Sequence, residues 1–303
     1  MASPIATFVS DIHLSSMPPA ARLAENDWYD AQERILEQVR KIEKEYACPM
    51  FCCGDVFDRW KVTPKLINFA ITQLPQMVSV PGQHDMPYHQ SDMMHMSPYR
   101  TLEHARRLMP FSCHVALRKT NHVFYSKVGE FYFLGFQFGE KLVAPKKARK
   151  PIVIVSHKFV WSKRDNAYTG APPTNNVSSM KVLNEYDMCF FGDNHIPFEH
   201  GNVVNCGCLI QRKINEKKHT PSVVVLLDDM SIERIYLDTS EDAWVEVEEE
   251  DEMESNVDEL KSLMEEMRQV EGANYDFRQA VERWITEKGI KGRTKQILLE
   301  AVQ

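Results

Sequence analysis

The sequence predicts an α/β protein, a four-layer α-β-β-α sandwich in which two mixed sheets face each other and helices lie outside. Three observations carry this reading. The N-terminal third alternates short apolar runs with amphipathic helical segments, the pattern of parallel βαβ units. From His122 onward short strands and turns dominate, an antiparallel-rich half. Five of the apolar runs end in Asp or His, as expected of strands whose carboxyl ends share one crevice.

In order, the run Phe8-Val9 ends at Ser10-Asp11-Ile12-His13 and passes through a Ser-, Met- and Pro-rich loop (Ser15 to Pro19). A helix follows from about Trp28 to Tyr46, because Ala31, Ile35, Leu36, Val39 and Ile42 recur at helical spacing. Phe51-Cys52-Cys53 is the next strand, ending at Gly54-Asp55. Thr63-Pro64 then supplies an N-cap with proline at the first helical position, ahead of Leu66, Ile67, Ala70, Ile71 and Leu74. A strand over Met77 to Val80 closes at Pro81-Gly82, where glycine permits a sharp turn. Met86 to Met109 reads as loop and helix. Strands are expected at Val123–Tyr125, Phe131–Phe136, Ile152–Ser156, Met188–Phe191, Val203–Asn205, Ser222–Leu227 and Ile232–Leu237, the last two joined by a turn at Asp228-Asp229-Met230-Ser231. The expected organisation is a catalytic domain over 1–238, an acidic linker over 239–255 and a helical region over 256–303. In that region Val257, Leu260, Leu263, Met264, Met267 and Val270 make an amphipathic stripe.

Hydrophobic content of 43% with 26% charged residues places the chain among soluble globular proteins. No apolar run approaches the ~20 residues of a membrane span, and no secretory signal is expected. Seven cysteines without a spaced framework point to free thiols and a reducing, cytoplasmic setting. The net charge of −7 conceals nine acidic residues between Glu241 and Glu254; without those nine the rest carries +2, so a nucleic-acid partner is not excluded.

The strand-end motifs are weak singly and strong together. Asp11-Ile12-His13, Gly54-Asp55-Val56-Phe57-Asp58-Arg59, Gly82-Gln83-His84-Asp85, His157 and Gly192-Asp193-Asn194-His195 resemble the calcineurin-like metallophosphoesterase superfamily, whose ordered blocks are D-x-H, G-D-x-x-D-R, G-N-H-D, a lone His and G-H-x-H. The resemblance spans about residues 5 to 237. It implies two divalent metal ions that neutralise a phosphodiester and make hydroxide at neutral pH to attack phosphorus. Manganese is the expected metal, with Mg²⁺ or Fe²⁺ as alternatives. Asp55 would bridge them, Asp11, His13 and His195 would complete the first site, and Gln83, His157 and Asp193 the second. His84 would be the general acid, with Asp85 orienting it or capping the following turn. Asp58 and Arg59 would form a supporting ion pair. Two positions depart from the pattern: Gln83 stands where Asn is usual, and Asp193 replaces the first histidine of G-H-x-H.

Within the superfamily the sequence looks most like the nuclease subunit of the SbcCD type, in its small phage and bacterial versions. The residues that carry this are Pro81-Gly82-Gln83-His84-Asp85-Met86-Pro87-Tyr88-His89 and the tail with Asn205-Cys206-Gly207-Cys208, Arg212 and Pro221-Ser222-Val223-Val224. That likeness implies a DNA-repair nuclease, exonucleolytic from ends and endonucleolytic on single strands, in a bacterial or phage-infected cell. It also implies a coiled-coil ABC-type ATPase partner gripped by the C-terminal helices, and a homodimer. Three basic groups adjoin the motifs and suit phosphate and base contact: Lys146, Lys147 and Arg149; Lys158, Trp161, Lys163 and Arg164; and Arg212. Two other readings stay open. One is a phosphatase or phosphodiesterase for small molecules; the other is a metal-impaired binding scaffold, suggested by Gln83 and Asp193.

Overall fold

The computed structural model describes residues 2–111, 121–126, 129–145 and 149–245. In chain order its regular elements are β1 (Pro4–Val9), α1 (Trp28–Tyr46), β2 (Met50–Cys52), α2 (Pro64–Gln73), β3 (Met77–Ser79), α3 (Pro98–His104) and β4 (Leu108–Pro110). There follow β5 (Asn121–Ser126), β6 (Gly129–Phe136), β7 (Ile152–Ser156), β8 (Met188–Phe191), β9 (Phe198–His200), β10 (Val203–Asn205), β11 (Ser222–Leu227) and β12 (Ile232–Tyr236). They build two six-stranded sheets, ordered β12-β11-β1-β2-β3-β4 and β5-β6-β7-β8-β10-β9. In the first sheet β1 to β4 run parallel and β11 returns antiparallel beside β1. In the second, β6, β7, β8 and β10 run parallel, with β5 and β9 antiparallel at the edges. Each parallel block aims its carboxyl ends at the same crevice.

The helices form where local chemistry allows. Asp27 caps α1 by accepting from the Tyr29 and Asp30 amides, and Ala47 ends it in the left-handed region at φ 48°. Thr63 caps α2 ahead of Pro64. Between the sheets Phe8, Phe51 and Val78 meet Phe133, Val155 and Phe190. The Phe8 and Phe190 rings stack at 3.5 Å, and Phe51 stacks on Phe133 at 4.5 Å. The outer face of the first sheet packs on α1, α2 and α3 through Leu36, Val39, Leu66, Ala70, Tyr99 and Leu102. Leu142, Val160, Val177, Leu183 and Tyr186 cover the second sheet; Val177 and Leu183 come from a segment of short 3₁₀ turns between Arg164 and Glu185, and the others flank it.

Two strands went unforeseen: β4, three residues ending in proline, and β9, three residues at an edge, both too short to show a period. The described chain stays packed on the sandwich past residue 238, through residue 245. Residues 238–245 lie against α1 and the turn before it. Gln38 exchanges hydrogen bonds with the Asp238 backbone, the Val245 amide donates to the Ala21 carbonyl, and Trp244 stacks on the Arg22 guanidinium at 4.7 Å. The remaining linker and the helices expected over 256–303 lie outside the described residues.

Arg22 is 1% exposed, pairs with Glu25 at 2.6 Å and Asp242 at 2.9 Å, and donates to the Gln211 carbonyl. Removing one member of such a buried cluster leaves uncompensated charge. Arg22→Ala is therefore expected to cost about 3–5 kcal/mol in urea unfolding; a loss under 1 kcal/mol would mean that Asp242 and the acidic strap are held by other contacts.

Candidate metal centre

Asp11 and His13 follow β1, Asp55 follows β2, Gln83 and His84 follow β3, His157 follows β7, and Asp193 and His195 follow β8. Four of these side chains leave the strand ends from left-handed backbone: Asp11 (φ 50°), His13 (φ 50°), Asp55 (φ 53°) and Asp193 (φ 73°). L-residues adopt this region at a cost, and it turns each side chain inward abruptly. Close approach demands glycine alongside. A Cβ on Gly82 would lie 2.1 Å from Asp55 Oδ1, and one on Gly54 would lie 2.3 Å from His157 Nδ1.

All seven expected ligands converge. His13 Nε2 lies 3.1 Å from His195 Nε2, and these nitrogens lie 3.7 and 3.8 Å from Asp11 Oδ1. Asp55 Oδ2 stands between the two groups, 3.8 Å from His13 Nε2 and 3.2 Å from His157 Nε2. Gln83 Nε2 donates to Asp193 Oδ1 at 2.8 Å, and the Asp193 amide donates to the Asp11 carboxylate. The two residues that depart from the family pattern thus touch each other.

The charges are strongly coupled. Burial would lower His157, but the Asp55, Asp11 and Asp193 carboxylates outweigh it and push the ring up to about 10. Burial would raise Asp55, yet His157, His13 and His84 hold it well below the usual carboxylate range. His13 is lowered, mainly by burial, and Asp193 is raised by burial. The carboxylates around His157 thus favour positive charge at this place. Among the described residues Asp55 Oδ2, His157 Nε2 and Gln83 Oε1 are buried without a hydrogen-bond partner. Buried polar atoms left without partners in this way fit a site built to hold cations. Ligand atoms gather as Asp11, His13 and His195 and as Asp11, Asp55 and His157. This chemistry suits two divalent cations, of which Asp11, His13, His195 and Asp55 would hold one, and Asp55, His157, Gln83 and Asp193 the other. The second set has more oxygen, because Gln83 and Asp193 join Asp55 around a single imidazole.

His84 stands at the rim, its side chain 39% exposed. Its Nδ1 is 2.6 Å from the Asp58 carbonyl and its Nε2 is 4.0 Å from Asp55 Oδ2. The expectation that Asp85 orients this ring is corrected here. Asp85 is fully buried, and its carboxylate accepts from the Val56, Phe57 and Gly82 amides, tying the turn after β2 to the turn after β3. Burial and the Asp55 anion push it up to about 7 against those donors. The alternative reading of Asp85 as a cap for backbone groups matches these contacts. Asp58 pairs less with Arg59, at 3.7 Å, than with Arg212, which it holds at 2.5 Å.

Glu216 is the site residue missed in the sequence. Its Oε1 lies 2.6 Å from His195 Nδ1, and its other oxygen accepts from the Arg212 and Lys213 amides. Despite burial, His195 and these amides draw it down to about 2. A carboxylate behind a ligating imidazole fixes ring and tautomer. No spacing connects Glu216 to His195, so only the fold reveals it.

Of the basic groups, Arg212 is committed to Asp58 and is not an open phosphate contact. Lys163, Arg164 and Arg149 are exposed, and Lys158 and Trp161 are half-buried. Lys146 and Lys147 lie outside the described residues. The loop with Trp161 is fastened to the centre by Asn194, between two ligands: its amide donates at 2.8 Å to the carbonyls of both Val160 and Asn166.

The model of the calcineurin-like phosphoesterase family matches residues 6–197. No curated protein matches. Among solved structures, a putative 5′-nucleotidase from Staphylococcus aureus is 14% identical, with a TM-score of 0.45, over 86% of this chain and 58% of its own. A 5′-nucleotidase from Candida albicans is 15% identical (TM-score 0.46; 79% of this chain, 53% of its own). The phosphoesterase YfkN from Bacillus subtilis is 11% identical (TM-score 0.42; 78% of this chain, 89% of its own). The chain thus spans little more than half the length of the two nucleotidases.

Two outcomes separate these roles. Asp85→Ala strands three buried amides and is expected to cost at least about 3 kcal/mol of stability, at roughly 1–3 kcal/mol per group, while His84→Ala leaves the unfolding midpoint almost unmoved. Glu216→Gln is expected to weaken the tighter step of a calorimetric metal titration roughly 10- to 100-fold; an unchanged isotherm would remove Glu216 from the site.

Proposed function

Because the chain belongs to the calcineurin-like phosphoesterase family, and so is a metal-dependent phosphoester hydrolase, we propose that its substrate is DNA, cut from ends and within single strands, with Mn²⁺ as the metal. When bound, the two cations neutralise the phosphate and activate water. The chain's own residues do the rest. Asp55 stands between the two ligand groups. With Nδ1 directed at the Asp58 carbonyl, His84 carries a proton on Nε2 only as the imidazolium, and releases it to the departing oxygen. The buried Asp85 clamp keeps the turns bearing Asp55 and His84 in register.

The observation that favours DNA is a cavity of about 440 Å³ lined by Trp161, Arg164, Tyr168 and Thr169 among others, beside the loop that Asn194 fastens to the ligands. Tyr168 is 57% exposed, and Arg164 has no ion-pair partner among the described residues. Aromatic faces next to an unpaired guanidinium suit bases and phosphates of a single strand. His157 lies four residues before Trp161, so the backbone at the cavity's Trp161 is within about 14 Å of the backbone at His157.

The test is digestion of end-labelled single- and double-stranded DNA with increasing Mn²⁺. Cleavage is expected to require metal and to fall by about 10²- to 10⁴-fold in His84→Ala. Release of phosphate from nucleoside monophosphates with intact DNA would select a small-molecule phosphatase instead, and metal binding without any hydrolysis would select a scaffold.

A further inference from the structure

The carbonyl that holds His84 belongs to Asp58, and the chain runs from there straight into Arg59, Trp60 and Lys61. From the other direction, Tyr88 follows His84 by four residues. The two segments meet: the Trp60 and Tyr88 rings lie 5.1 Å apart at 50°, with the Lys61 ammonium 5.8 Å over Trp60. Tyr88 is 62% exposed, and the Arg59 side chain is 83% exposed. An open aromatic face flanked by cations thus borders the proton donor.

The backbone beneath it is strained. Tyr88 and His89 are consecutive non-glycine residues in the left-handed region, at φ 54° and 56°. Each would relax as glycine, and an exposed tyrosine gains little from burial here, so packing does not account for the cost. The turn does fix two things. His89 Nδ1 lies 2.9 Å from the Gln83 carbonyl, which steadies that strand end, and the Tyr88 ring is held beside Trp60 with most of its surface exposed. Residues that repay strain by position rather than by burial belong to recognition.

We propose that Tyr88, backed by Trp60, is the stacking platform for the nucleobase on the leaving-group side of the scissile phosphate, a reading that rests on phosphoester hydrolysis at the metal centre with His84 as the acid. The group that receives the His84 proton departs beside this face, and a base attached to it lies against the Tyr88 ring. Every base has a π-face, so the platform serves single strands without regard to sequence. Arg59 and Lys61 supply charge for the phosphate that follows.

The experiment crosses two substrates with three proteins under Mn²⁺. One substrate is an oligodeoxynucleotide; the other is the same strand with an abasic residue on the leaving side of the cleaved bond. Wild type is expected to lose roughly 5- to 150-fold in kcat/KM when the base is removed. Tyr88→Ala is expected to lose the same factor on the intact strand and nothing on the abasic one, while Tyr88→Phe matches wild type on both. A Tyr88→Ala loss of equal size on both substrates overturns the platform, as does wild-type indifference to the missing base. If wild type cleaves no strand but dephosphorylates nucleoside monophosphates, the nuclease reading falls. The same cycle, run with a nucleoside 5′-monophosphate against deoxyribose 5-phosphate, then decides the platform independently.

Discussion

The structure is organised around an electrostatic demand. Asp11 and Asp55 are buried to within 1% of full coverage, surrounded by His13, His157 and His195 at 3.2–3.8 Å. Unscreened carboxylates this close repel one another strongly in a low-dielectric interior. Something positive must sit among them, and the strained ligand backbones, the glycines and the flanking helices serve to hold that arrangement against relaxation. The same carboxylates raise the His157 imidazole against the cost of its burial.

The fold encloses this demand by pointing two parallel blocks at one crevice. The first sheet supplies Asp11, His13, Asp55, Gln83 and His84, and the second supplies His157, Asp193 and His195. The ring stack of Phe8 on Phe190 lies immediately behind, joining the strands that end in Asp11 and Asp193. Sheet-to-sheet packing and ligand-to-ligand spacing are therefore set by the same strands.

What could be read from the chain was whatever is local. α1 followed from the spacing of its buried aliphatics and α2 from the Thr63 cap ahead of Pro64, and the ligands announced themselves as polar residues at the ends of apolar runs. What could not be read was joined only through space. Asp85 sits beside His84 in sequence yet turns to amides of the neighbouring strand end, because three backbone donors outcompete one imidazole. Glu216 reaches His195 from a loop 21 residues further along. The first stretch of the acidic segment looked like a solvated tether because composition registers charge, not partners, and the Arg22 cluster that recruits Asp242 lies over two hundred residues upstream.

The contact between Gln83 and Asp193 changes how these two positions should be regarded. The longer amide reaches across, and the shorter acid leaves room to receive it. Changing either residue alone would remove this hydrogen bond and leave the other's polar group without it. Each departure supplies the other's partner, so the two positions act as one structural change at the rim of the site.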